Sequence, residues 1–233
     1  MPGSIPTAVI VCGDPARATE IAERLDEHEL LAEKREYRTY VGVKNGRSLT
    51  VTSHGIGAPG AAIAFEELIA AGAQQIIRVG TCGSMQPHIK PGELIIASAA
   101  VQQTGYGREI MPAGYPAVAE ANLLVALREA AAQQSLAAHT GIVLTRDAFY
   151  GGVVSSHTPD YAQMSQANVL AVEMECAALF LVGSLRRVQT AAILAVDGYV
   201  LETGEDMETF GQLVVEKKTA VAAAIDVAIQ ALA

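Results

Sequence analysis

Basic side chains are scarce in this chain: 16 lysines and arginines stand against 25 aspartates and glutamates in 233 residues, a formal charge of −9 at pH 7. A field of that sign repels polyanions, which argues against a nucleic-acid or anionic-membrane surface. Any anionic ligand would need a local cluster of arginines set inside it. Cysteine is sparse as well. Cys12, Cys82 and Cys176 follow no metal-ligand spacing and cannot all pair, so they read as buried thiols in a reducing compartment. No apolar run is long and unbroken enough to span a bilayer, and no basic region followed by an apolar one opens the chain. A cytoplasmic location is the expectation. Linkers, repeats and sustained charge runs are missing too, so 1–233 reads as one domain.

What is present is apolar patterning. Hydrophobic residues make up 51% of the chain and charged ones 18%, which permits a sizeable core. Strand-like runs ("AVIVC", "SLTVTSHGIG", "QQIIRVGTCGS", "GELIIASAAVQ", "TGIVLT", "NVLAVEME", "TAAILAVDG") alternate with helix-like ones. The latter are "ARATEIAERL", "PGAAIAFEELIAAGA", "PAVAEANLLVALREAAAQ", "CAALFLVGSLRR" and a long helix inside the closing "METFGQLVVEKKTAVAAAIDVAIQALA". Such alternation predicts an α/β fold, a mainly parallel sheet with helices on both faces.

Functional loops in such sheets gather at the carboxyl ends of the strands. Those positions hold Gly13–Arg17, Ser53–Gly57, Arg78–Ser84, Arg146–Tyr150, Glu173–Glu175 and Asp197, a set rich in glycine, arginine and carboxylate. "GDPARA" after the first strand is either an ordinary strand-to-helix turn or an anion site, with Gly13 allowing close approach, a helix N-terminus behind it and Arg17 adding charge. Arg78, inside an apolar strand, needs a carboxylate or a phosphate as partner, and Thr81 offers a hydroxyl beside it. Glu173 and Glu175 alternate onto one side, either to favour a helix N-terminus or to accept from paired sugar hydroxyls. Asp197 follows four apolar residues; it is a turn aspartate or, if desolvated, a general acid near neutral pH. Phe149 and Tyr150 are core aromatics or a stacking wall, with the core favoured for isolated aromatics. His54, between strand end and glycine, reads as a structural hydrogen-bonder.

Taken in order, "GDPARA", "KREYRTY", "SHGIGAPGAAIAFEELIAAGA", "IIRVGTCGSMQPHI", "DAFY", "VEMECA" and "AVDG" resemble the nucleoside phosphorylase family, in its hexameric branch of purine nucleoside and uridine phosphorylases. The resemblance covers nearly the whole chain. It implies a three-layer α/β/α single domain around a central mixed, mainly parallel sheet, and reversible phosphorolysis of a ribonucleoside to free base and ribose 1-phosphate. By that resemblance Gly13, Arg17, Arg78 and Thr81 bind phosphate, and Arg35 is lent to the phosphate site of a neighbouring subunit. Met174 and Glu175 hold the ribose; Cys82, Gly83, Phe149 and Val172 line the base; Asp197 supplies the proton. Nucleoside and inorganic phosphate are then the substrates, with no organic cofactor and no metal among the site residues. The donated Arg35 requires at least a dimer, and the family precedent is a hexamer built as three dimers. Glu36 matches a position at which uridine-specific relatives bind a monovalent cation.

Two departures bear on the substrate. "FYGGVVSSHTPDY" lacks the glutamine and arginine with which uridine phosphorylases read uracil, and their counterpart of Asp197 is not an acid. Both favour a purine such as inosine, guanosine or adenosine over uridine. "MPGSIPTAVIVC" has no histidine to meet the ribose 5′-hydroxyl, which leaves methylthioadenosine open. The rival activities are a hydrolytic nucleosidase, against which the three arginines argue, and a nucleoside sensor, against which Asp197 and Glu175 argue.

Overall fold

A computed structural model describes residues 3–203 and 214–232. Its strands are β1 (Ala8–Cys12), β2 (Glu27–Lys34), β3 (Tyr37–Lys44), β4 (Arg47–Ser53), β5 (Gln75–Ser84), β6 (Leu94–Gln103), β7 (Ala117–Val118), β8 (Ala138–Arg146), β9 (Ala171–Glu173) and β10 (Gln189–Tyr199). Its helices are α1 (Pro15–Ala22), α2 (Ala58–Ala71), α3 (Gly105–Ile110), α4 (Ala121–Gln133), α5 (Tyr161–Gln166), α6 (Cys176–Arg186), α7 (Val200–Thr203) and α8 (Val214–Leu232). The start of the expected C-terminal helical segment, 207–213, lies outside the described residues.

Alternation along the strands sorts the core into two layers. Val9 and Val11 of β1, Ile76 of β5 and Leu194 of β10 pack against α2 and α6. Ile10, Cys12, Ile77 and Ile193 point the other way, onto α1, α4 and α8. The result is the expected helix–sheet–helix sandwich. The sheet is mixed: β1 runs parallel to β4 and β5, β5 to β10, β6 to β8 and β8 to β9, whereas the pairs β2–β3, β3–β4, β5–β9, β6–β7 and β6–β10 are antiparallel. Because β10 pairs with both β5 and β6, the strands β5, β10, β6, β8 and β9 close into a ring, from which β1, β4, β3 and β2 extend as an open wing.

Three segments depart from the periodicity. "EHELLAEK" has the composition of a helix, but β2 is an exposed outer strand, held by its antiparallel pairing with β3 from Glu27↔Val43 to Lys34↔Tyr37. Cross-strand pairing overrides propensity there. The hairpin leaves only Arg35 and Glu36 at its tip, and Arg35 adopts a left-handed backbone with φ 57°. Finally, "PAVAEANLLVALREAAAQ" is not one helix. Ala117–Val118 pair with β6, and α4 begins after Glu120, whose carboxylate accepts from the Leu123 amide as an N-cap.

Phe180 of α6 is fully buried in the layer shared with α2. Phe180→Ala is expected to cost about 3–5 kcal/mol of stability, seen as a lower urea midpoint with an unchanged slope.

Candidate active site

The strand ends of the ring and the wing meet over a cavity of about 910 Å3. Gly13, Arg17, Arg78, Thr81, Cys82, Gly83, Phe149, Val172, Met174, Glu175 and Asp197 all line it. Of the expected site residues, only Arg35 does not.

Arg78 is the centre of the cavity's charge. It is 4% exposed, and its Nη2 donates to Glu175 Oε2 and, at 3.3 Å, to Glu173 Oε2. The guanidinium runs directly over Gly80, where a Cβ would lie 1.9 Å from Nη1, so β5 can carry the arginine only with glycine two residues later. Burial opposes the charge, but Glu175 and Glu173 outweigh it and hold Arg78 above its usual range as a permanent cation. The two readings of the glutamates divide between them. Glu173 caps α6, accepting from the amides of Glu175 at 2.7 Å and Cys176 at 2.9 Å and from the Thr145 hydroxyl. Glu175 turns instead to Arg78 and to the Gly57 amide at 2.6 Å, at the start of α2. Burial raises the pKa of Glu175; Arg78 works against that and Glu173 with it. An internal ion pair and a ligand clamp are therefore not alternatives here, because the paired groups themselves face the cavity.

"GDPARA" folds as a strand, a turn and a helix. Asp14 is the N-cap of α1, with Oδ1 accepting from the Ala16 amide at 2.8 Å. That amide is already satisfied and an acid stands in front of it, so α1 does not offer the open N-terminus expected from the sequence. The anion-attracting group of this corner is Arg17; Gly13 lines the cavity beside it, its carbonyl accepting from the Gly55 amide at 3.0 Å.

The two residues at the tip of the β2–β3 hairpin differ. Glu36 lines the cavity, and its backbone carbonyl accepts from the Ser53 hydroxyl at 2.5 Å. Arg35 is exposed and does not line the cavity.

Asp197 is not a turn residue. β10 continues through it to Tyr199, and its pairing with β5 slips by one position between Val196↔Cys82 and Gly198↔Gly83. Asp197 is the extra residue of a bulge, a device that re-aims a side chain out of the regular pleat. Its carboxylate is 9% exposed and meets Lys217 Nζ of α8 at 3.2 Å and the Thr81 hydroxyl. Burial raises its pKa, and Lys217 and Thr81 only partly offset this. Lys217 escaped the sequence reading because it sits on a helix surface twenty positions from its partner; the basic pair "KK" in an amphipathic helix is an ordinary solvent-facing pattern.

Phe149 is 40% exposed at the cavity and packs edge-on against Tyr150, 5.1 Å between centroids. It belongs to a wall of the cavity, not to the core that isolated aromatics favour. His54 is buried edge-on against Phe65, with Nδ1 2.9 Å from the Gly55 carbonyl oxygen. It does not line the cavity, and burial, aided by Arg78, keeps its pKa well below the usual histidine range. All three cysteines are free and buried, and burial pushes the Cys12 thiol up to about 12. Among the described residues no three His, Cys, Asp or Glu side chains gather as a metal site, and no helix is long and apolar enough to cross a membrane.

Glu173→Gln leaves the Arg78–Glu175 pair balanced but replaces one of the two oxygens that accept from the Glu175 and Cys176 amides and the Thr145 hydroxyl by a donor. It is expected to lower the unfolding free energy by about 1–3 kcal/mol in urea, and an unchanged midpoint would show that one carboxyl oxygen suffices for these donors.

Comparison with known proteins places this cavity. The sequence model of the phosphorylase superfamily matches residues 7–232. A uridine phosphorylase of Treponema pallidum is 40% identical over 86% of this chain and 80% of its own length. A purine nucleoside phosphorylase of Plasmodium vivax is 38% identical over 84% of this chain and 80% of its own. The crystal structure of purine nucleoside phosphorylase from Toxoplasma gondii, in complex with immucillin-H, superposes with a TM-score of 0.89 at 35% identity, covering 99% of this chain and 91% of that one. With a match that spans the sheet, both helical layers and every strand end around the cavity, the chain belongs to the phosphorylase superfamily as a nucleoside phosphorylase, an enzyme of the pentosyltransferase class.

Proposed function

We propose that this nucleoside phosphorylase acts on purine ribonucleosides (inosine, guanosine, adenosine), exchanging the base for phosphate to give ribose 1-phosphate. The observation that carries the choice is Asp197, a buried carboxyl with a raised pKa, tipped by a strand bulge into a cavity that also presents Arg17, Arg78 and Glu175. A purine leaves readily only if its N7 is protonated or hydrogen-bonded as the glycosidic bond breaks. A carboxyl whose pKa is raised by burial can do that, typically for a hundredfold to ten-thousandfold in rate. The names of the relatives divide between purine and uridine, so uridine is the second reading, favoured by the Treponema likeness.

In this mechanism phosphate lies beside the sugar, bound by Gly13, Arg17, Arg78 and Thr81. Bond cleavage develops positive charge on the ribosyl group, which the dianion stabilises and then captures. Glu175 accepts from the ribose hydroxyls with Met174 packed on the sugar. Cys82, Gly83, Phe149 and Val172 enclose the base. Arg78 brings its two glutamates with it, so this local cluster is net negative, and Arg17 is the further arginine of the expected phosphate set within the same cavity. The third guanidinium of the proposed set is Arg35 of a neighbouring subunit, a reading supported by its exposure at a hairpin tip. The working form is then at least a dimer, with a hexamer of three dimers as the full assembly. No organic cofactor takes part, and a cytoplasmic location suits the three reduced thiols.

A panel of inosine, guanosine, adenosine, methylthioadenosine and uridine, each with and without phosphate, tests the reading. Cleavage that does not depend on phosphate would replace the phosphorylase by a hydrolase. Asp197→Asn is expected to lower purine turnover at least about tenfold with the phosphate KM unchanged. The acid must arrive protonated, so kcat/KM for the purine should fall as pH rises through the raised pKa of Asp197. Lys217→Met removes a charge that favours the carboxylate and moves that falling limb to higher pH. Arg35→Gln should raise the phosphate KM about tenfold or more while leaving the nucleoside KM within about twofold; an unchanged phosphate KM would confine the phosphate site to one chain.

A further inference from the structure

Arg146 closes β8 and has no part in the roles assigned above. Strand alternation sends its neighbour Thr145 inward to Glu173 and to the first amides of α6, and sends Arg146 to the cavity. The guanidinium carbon stands 5.4 Å from the centroid of the Tyr161 ring, and Nη1 donates to the Tyr161 hydroxyl. Tyr161 packs with Val172 and Val200 on Met85, Leu144 and Val169, and Tyr161, Val172 and Val200 line the cavity themselves. The cation is thus held by an aromatic side chain that packs in one cluster with Val172, in the cavity that Phe149 also lines.

A guanidinium has five N–H donors and no acceptor, so its bond to Tyr161 is compatible with a further bond to a ligand. Such a group pairs with a carbonyl oxygen. Set against an exocyclic amino group it faces donor with donor and leaves both desolvated without a partner. We propose that Arg146 is a base-reading residue that forms a carbonyl subsite, donating to O6 of a 6-oxopurine and thereby favouring inosine and guanosine over adenosine. This rests on the nucleoside phosphorylase reading of the cavity and narrows it. Negative charge spreads from the departing ring nitrogen onto O6 as the glycosidic bond breaks, so the hydrogen bond strengthens towards the transition state. Selection therefore appears in kcat/KM rather than in binding alone. The sequence placed Arg146 at a strand end without giving it a role, since its contact with Tyr161, fifteen residues later, appears only in the folded chain.

Steady-state phosphorolysis of inosine, guanosine and adenosine at saturating phosphate tests this through a ratio within each enzyme preparation, so any loss of folded protein cancels. In the unaltered chain kcat/KM for inosine exceeds that for adenosine by about tenfold or more. Arg146→Gln, whose amide oxygen can accept from an amino group, lowers that ratio at least about tenfold, and Arg146→Lys, which keeps the charge and loses the fork, falls between. The phosphate KM stays constant in both. A ratio near one in the unaltered chain, or one that Arg146→Gln leaves in place, overturns the carbonyl subsite while phosphorolysis itself stands. If uridine is cleaved and purines are not, the purine reading fails separately; the subsite then requires uridine to be preferred over cytidine and Arg146→Gln to abolish that preference. If no nucleoside is cleaved with phosphate, both readings fail.

Discussion

One buried guanidinium organises this molecule. Arg78 on β5 meets Glu173 at the end of β9 and Glu175 at the start of α6; Glu175 in turn holds the Gly57 amide in front of α2, and Glu173 holds Thr145 of β8. Two strands, two helix N-termini and a central strand are thereby referred to a single charge. Ion clusters at this depth carry a large desolvation cost and tolerate little misplacement. That constraint explains why β5 has glycine beneath the guanidinium and why the glutamate that caps α6 comes from the strand before it. The same cluster has one cation and two carboxylates, so it positions a polar ligand without being a complete anion site. Arg17 and Arg146 line the same cavity and set further positive charge against that imbalance.

Irregular backbone supplies the remaining chemistry. A regular β10 would alternate Asp197 into one of the packed helical layers. The extra residue in its pairing with β5 turns the carboxylate to the cavity instead, where burial raises its pKa and Lys217 moderates the effect. The two-residue hairpin tip puts Glu36 at the cavity and leaves Arg35 exposed and off it. The bulge at Asp197 breaks the period-two rule that governs the rest of β10.

Apolar alternation sufficed to read the two-sided sandwich, because each layer repeats a simple demand: bury Val9 and Val11 one way, Ile10 and Cys12 the other. It did not reveal β2 and β3: β2 is exposed throughout and β3 gives the core only Tyr40, so they exist as strands chiefly through each other and β4. Nor did it show the ring closure, which depends on β10 having two partners far apart in sequence.

The sequence by itself determined the residue types at the strand ends, since glycine, arginine and carboxylate after apolar runs are visible to the eye and their order carries the family likeness. Tertiary structure alone decided which of them meet. Lys217 reaches Asp197, and Arg146 meets the Tyr161 hydroxyl at the cavity, across separations that no local pattern encodes. The physical reason is range: burial and periodicity act within a strand or a turn of helix, whereas the pairing of charges and donors is settled only when separate elements are packed around one cavity.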